Sequence, residues 1–149
     1  LASSPDRVLL KITEVAAAAI VVAEIGLLFV AVVARYVAEA PVTWSDELAS
    51  ILFVWLTMLG TAIAFHRGQH MRMTAVVTRV PPGVKRWMEI AALVVPLVWL
   101  LAIAYFAFEY ALEERVVVTP ALEISNAWRS FALPTGVSIM IAFALARIV

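Results

Sequence analysis

The chain has 149 residues, of which 64% are hydrophobic and 15% charged, with eleven basic and eleven acidic side chains that cancel. Such a composition excludes an ordinary water-soluble domain, and a neutral chain lacks the basic face that a nucleic-acid partner requires. There is no cysteine, which excludes a disulfide framework and a thiolate metal site.

Leu1 to Lys11 reads as a short polar lead carrying Arg7 and Lys11. The numbering begins at leucine, so an initiator is expected to precede it. Residues 15–33 make the first apolar span, interrupted only by Glu24. The span is too long for a signal-peptide core, and a cut after Ala40 would fall directly before Pro41. Arg35 and Tyr36 end it with a guanidinium and an aromatic ring, both suited to a membrane interface.

Trp44 to Arg72 organises the rest of the chain. It opens on Trp44, Asp46 and Glu47, runs uncharged from Leu48 to Phe65, and closes on His66, Arg67, His70 and Arg72. Residues 48–65 as a helix reach about 27 Å, close to the ~30 Å hydrocarbon thickness of a bilayer. Ser45 is placed to cap this helix, with Asp46 and Glu47 in the first turn, where acids complement the dipole.

A break is expected at Gly68. Beyond it Met73, Val76, Val77 and Val80 recur at helical spacing, which predicts a short helix lying in the membrane interface. An irregular loop is the alternative for so short a segment. Pro81, Pro82 and Gly83 end it. Lys85, Arg86 and Trp87 lead into a third span at 90–108, where Pro96 predicts a kink. Glu109, Glu113 and Glu114 carry that helix into water. Thr119 to Ser125 form a turn, and a fourth span lies at 131–146, with Pro134 and Gly136 near its start.

The expected fold is therefore an all-α membrane protein. One domain over 1–149 holds four transmembrane helices, at about 15–33, 48–65, 90–108 and 131–146, with a short interfacial helix between the second and third. No ten-residue segment alternates with period two, which excludes a β-barrel.

With four spans, Arg7, Lys11, Arg67, Arg72, Arg79, Lys85, Arg86 and Arg147 share one side, against Arg35, Arg115 and Arg129 on the other. The excess of basic residues predicts cytoplasmic termini and a cytoplasmic middle loop in a multi-pass protein. The opposite face carries Glu39, Asp46, Glu47, Glu109, Glu113, Glu114 and Glu123. It is either a solvated rim or a docking face for a soluble protein.

Three groups of residues have chemical potential. His66 and His70 are four apart, as a helical metal pair would be, but no acid or thiol stands near them in sequence. Both lie at one end of one span, which also disfavours a haem-bearing or quinone-binding anchor. Glu24 sits at the middle of the first span, where an ionisable side chain needs a partner. Thr57, Thr61, Tyr105, Ser138 or another chain are the candidates. Trp44, Asp46 and Glu47 lack a nearby histidine, serine or lysine for acid–base or nucleophilic work, so no enzyme activity is expected.

Several short motifs appear in order along nearly the whole chain. They are Arg35-Tyr36, Trp44-Ser45 with Glu47-Leu48, Val54-Trp55, Arg67-Gly68 with His70, Pro81-Pro82, Pro120-Ala121-Leu122 with Ile124, Trp128, and Leu133-Pro134 with Gly136. Together they resemble the DctQ-type small membrane subunit of tripartite ATP-independent periplasmic (TRAP) transporters. The chain departs from the family pattern of isoleucine, proline, paired tryptophans and tyrosine before the fourth span. It has Ile124-Ser125-Asn126-Ala127-Trp128-Arg129-Ser130 there.

The resemblance implies a non-catalytic scaffold in the bacterial inner membrane. Its partners would be a large polytopic, elevator-type subunit that holds substrate and sodium, and a periplasmic protein that delivers a carboxylate. No cofactor is expected in this chain. Glu24, Arg35, Trp44, Asp46, Glu47, Trp55, Glu113 and Trp128 are the candidates for partner contact. Arg67, His70, Lys85, Arg86 and Trp87 are those for phospholipid headgroups. The rival reading is a self-sufficient proton-coupled exporter, a dimer that loads a proton on Glu24.

Overall fold

The computed structural model describes residues 4–40, 42–77 and 82–146, some of them by backbone alone. Three long helices dominate: α1 (Ser4–Tyr36), α2 (Ser45–Val77) and α3 (Pro82–Glu113). A 3-10 turn over Glu114–Val116 and a bridged loop come next, then short α4 (Ala127–Ser130) and α5 (Ala132–Ala146). Among the described residues, four stretches are long and apolar enough to cross a membrane: Asp6–Tyr36, Ser45–Arg67, Val94–Val116 and Ala127–Ala146. The chain is an all-α, multi-pass membrane protein. In a medium that offers no hydrogen bonds to the backbone, helices satisfy their own polar groups, and apolar side chains can face outward.

Some boundaries differ from expectation. The polar lead is helical from Ser4, because Asp6 complements the first turn of α1 and side chains further along pair with α2. The break expected at Gly68 is absent: α2 runs through it to Val77. One glycine costs a helix only about 1 kcal/mol, too little to end one that already spans a bilayer. Up to Val77 the chain therefore continues α2 rather than starting a separate interfacial helix, and Thr78 to Val80 lie outside the described residues. Ser45 is not the cap expected either. Its hydroxyl donates back to the Val42 carbonyl at 2.7 Å, while Leu48 N–H donates to Trp44 O at 3.1 Å to open the helix. The fourth span starts four residues early, at Ala127, with a single turn before Phe131.

The helices pack in a row, α1 on α2, α2 on α5 and α5 on α3, with α2 and α3 touching more sparsely. The core joins Ala62 of α2, Leu100 of α3 and Val137, Met140 and Phe143 of α5, and Leu9 and Leu10 of α1 reach it at one end. Close approach of α2 and α5 requires Gly136. A Cβ there would lie 2.8 Å from both the Cβ and the Cε of Met58, inside any real carbon–carbon contact.

Candidate functional site

Polar side chains collect at the two ends of the bundle and at one level between. The α1–α2 turn and the α3–α4 connection form an acidic end, and the start of α1 with the later turns of α2 forms a basic end.

At the acidic end, Glu39 takes a left-handed φ of 51° and Ala40 N–H turns back to Ala34 O, which closes α1. Asp46 then meets Arg35 at 3.6 Å. One residue on, the first turn of α2 aims Glu47 across the bundle. Its two oxygens accept from the backbone of Ala121 and Leu122, each at 2.9 Å. Hydrogen bonds to a carboxylate are about twice as strong as neutral ones, so Glu47 fixes the loop that precedes α4. That loop is also closed on itself. Val118 and Ser125 form an antiparallel bridge, Thr119 N–H donates to Ile124 O, and Glu123 takes a φ of 53° at the bend. Asn126 donates to the Glu114 carboxylate, and Ser125 donates to Arg115 O at 2.9 Å. The Arg115 guanidinium lies 5.3 Å from the centre of the Phe131 ring. The Trp55 indole donates to Trp128 O at 2.8 Å, joining α2 to α4.

The result is a rigid cap with an exposed surface. Tyr36, Val37, Val116, Val118 and the ring of Trp128 are exposed on it, together with Glu113 and Arg129. An open cleft beside Glu47 is lined by Ser50, Thr119, Asn126 and Arg129. Of the candidates for partner contact, Glu47 and Trp55 thus make contacts within the chain, and Arg35 and Asp46 meet each other. Trp44, Glu113 and Trp128 present exposed surface. The Asn126–Glu114 contact is not visible in sequence, since neither residue type nor spacing marks a pair twelve residues apart across a loop.

At mid-span Glu24 is half-buried on the α2 side of α1, and among the described residues it has no hydrogen-bond partner. The candidate hydroxyls are engaged elsewhere. Thr57, Thr61 and Ser138 donate to the carbonyls of Phe53, Thr57 and Pro134, each one turn back on its own helix, and Tyr105 is exposed on α3.

At the basic end His66 meets Asp6 at 3.1 Å and rests its ring 4.7 Å from that of Phe143. Arg67 meets Glu14 at 2.6 Å. These pairs tie the start of α1 to α2, and His66 is turned to an acid that sequence spacing does not bring near it. Among the described residues no three His, Asp or Glu side chains gather as a metal site would require. Trp87 is exposed, and the side chains of His70, Lys85 and Arg86 lie outside the described set.

Residues 24–149 match the family described as tripartite ATP-independent periplasmic transporters, DctQ component. The chain belongs to this family. It is a TRAP-type small subunit, a transporter component and not an enzyme. It is similar to the sialic acid TRAP transporter small permease protein SiaQ of Vibrio cholerae. The two are 25% identical over 142 residues, which is 95% of this chain and 82% of the relative. It is also similar, at 24% identity over 133 residues, to the sialic acid TRAP transporter permease protein SiaT of Haemophilus influenzae. There the match takes 89% of this chain but only 21% of the relative, so about four-fifths of that permease lies beyond it.

Proposed function

We propose that this chain is the small permease subunit of a sodium-coupled importer of a carboxylate, and that it serves as a fixed scaffold for a large membrane subunit. The observation that carries this reading is the match of residues 24–149 to the small component of a tripartite carrier. The interior supports a scaffold role: where the helices meet, the core is apolar, and the hydroxyls of Thr57, Thr61 and Ser138 bond to their own helices. Binding sites in secondary transporters are instead formed where helices are interrupted near mid-membrane. Substrate and sodium then belong to the large subunit. A carboxylate is the class to which the sialic acid of the relatives' names belongs.

In this reading the chain lies in the bacterial inner membrane with both termini in the cytoplasm, an orientation supported by the excess of basic residues at that end. The rigid cap at the acidic end faces the periplasm. Its exposed Glu113, Trp44 and Trp128 surface helps to receive the substrate-binding protein. Arg67, His70, Lys85, Arg86 and Trp87 lie at the level of the cytoplasmic headgroups.

Uptake of a labelled carboxylate panel by cells that express the binding protein and large subunit from the same locus tests this. Transport is expected only when the small chain is co-expressed, and only with an inward sodium gradient. Transport by the small chain alone in liposomes would overturn the scaffold reading in favour of an exporter. Glu39→Cys and Glu113→Cys should label from the periplasm, and Arg72→Cys should not.

A further inference from the structure

The cleft at the acidic end holds polar groups that the fold leaves unused. It is lined by Glu47, Ser50 and Ile51 of α2, by the loop at 117–120, and by Asn126 and Arg129, and it encloses about 230 Å³. Arg129 is exposed, and among the described residues its guanidinium has neither an ion pair nor a hydrogen bond. Glu47 lines the same cleft, yet the two opposite charges are not paired with each other. Ser50 is the odd hydroxyl. The other described serines and threonines of the helices each donate to a backbone carbonyl, whereas Ser50, half-buried in the cleft wall, makes no hydrogen bond.

Glu47 retains capacity as well. It accepts from the backbone of Ala121 and Leu122 and from the Thr119 hydroxyl, and a carboxylate has about four acceptor positions. The cleft thus offers a free cation, a free hydroxyl donor and a carboxylate with room for one more donor. A lone anion would face Glu47 as well as Arg129, and a lone cation would face Arg129. A group that carries both charges meets each with its opposite.

Depth decides where such a group comes from. Glu47 and Ser50 lie in the first two turns of one span, and Arg129 in the first turn of another. Both spans begin at this level, where hydrocarbon gives way to headgroups. The exposed rings of Trp44 and Trp128 stand at the same end, as aromatic side chains do at a membrane interface. Exposed ion pairs are weak in water, so one arginine and one hydroxyl hold a dissolved zwitterion poorly. A lipid is already in the membrane, and its tethered headgroup meets the cleft at high effective concentration.

We infer that the cleft seats the headgroup of a phospholipid bearing a primary ammonium, its phosphate on Arg129 and Ser50 and its ammonium on Glu47. The guanidinium fork suits two phosphate oxygens. The ammonium has N–H groups to give Glu47, which a choline headgroup lacks. The inference stands on membrane insertion alone and is independent of the transport role.

The test places photoreactive benzoylphenylalanine at Val118, an exposed wall of the cleft, in the full chain. Nanodiscs contain equal parts of phosphatidylethanolamine, phosphatidylcholine and phosphatidylglycerol, and mass spectrometry identifies the adducts. The phosphatidylethanolamine adduct is expected to exceed the phosphatidylcholine adduct about tenfold. Arg129→Ala should lower it about fivefold and Ser50→Ala about twofold, with Arg129→Lys, which keeps the charge without the fork, between parent and alanine. The same photoreactive residue at Phe106, exposed on α3, should label the three lipids equally in parent and variants, which verifies insertion of each chain. Equal labelling of the three lipids from Val118, or an adduct indifferent to Arg129→Ala, overturns the site. Labelling dominated by phosphatidylglycerol overturns the role of Glu47. Loss of the adduct on adding millimolar O-phosphoethanolamine gives the cleft to a dissolved zwitterion and overturns the lipid.

Discussion

In the α4–α5 span 44% of the most apolar stretch is buried inside the chain, and in the α1 span 6% is, although α1 is the more apolar of the two. Within water that ordering would be inverted, since burial there tracks apolarity. In a bilayer the medium is as apolar as leucine, so apolarity selects the membrane but not the neighbour. Fit selects the neighbour. On α5, Gly136 and Ala132 let α2 come close, and Met140 and Phe143 fill the space between α2 and α3. On α1, the stretch from Asp6 to Ala17 is held by two ion pairs and by Leu9 and Leu10 against the core, and the far end by the exposed Arg35–Asp46 pair. The remainder leans on α2 without closing on it. One span is largely enclosed by its own chain, and the other leaves most of its surface outside the bundle.

The largest effect that would break this contrast is at Gly136. Alanine there puts a methyl where Met58 already stands at 2.8 Å, and overpacking of this kind costs about 1–3 kcal/mol. Leucine should prevent assembly of α2 with α5 altogether. Thermal aggregation of the purified chain in detergent reads both, and full tolerance of Gly136→Leu would show that the α2–α5 contact is not the core of the fold.

Second in size is the pinning of the cap. Glu47→Ala removes the acceptor from two backbone N–H groups, and hydrogen exchange at Ala121 and Leu122 should accelerate about tenfold or more. Glu47→Gln retains one carbonyl acceptor and should fall between. The helices themselves should be unaffected, because the bonds lost lie between the first turn of α2 and a loop. Unchanged exchange at both positions would mean that the bridged loop holds its shape without α2.

The spans are legible in sequence because their signal is local: eighteen uncharged residues between Glu47 and His66 are a length of helix whatever they touch. The family motifs are legible for the same reason. Sequence marks Glu47 as a charge at a helix start, which is true, but its use lies 74 residues away in the backbone of Ala121. Backbone donation of this kind leaves no trace in residue type. Likewise spacing matches His66 with His70, four residues on, while its acid is Asp6, in a segment that reads as a polar lead. Continuation of the helix through Gly68 is hidden because a glycine between polar residues carries the same letters whether the helix ends or passes through.

A smaller effect is expected at the basic end. Arg67→Ala removes the pair with Glu14, whose partners are substantially exposed. Pairs of that kind contribute about 1 kcal/mol or less, and the loss should shrink further as salt is raised. Melting of the parent and variant at low and high ionic strength measures it. A large, salt-independent loss would mean that α1 depends on this pair far more than its exposure implies.

The smallest effect has the opposite sign and is the sharpest test of the contrast. Gly60→Ala and Gly136→Ala are the same chemical change in two helices that belong to one core. At Gly60 the new methyl meets nothing within 4 Å, so no neighbour must move. What remains is the backbone term: glycine in a helix interior is less favourable than alanine by about 0.5–1 kcal/mol, largely through the freedom it has when unfolded. The isolated Gly60→Ala chain should therefore melt slightly higher than the parent, and Gly26→Ala should do the same. Destabilisation at Gly60 of the kind expected at Gly136 would show that the surface of α2 at Gly60 is packed as closely as that of α5 at Gly136.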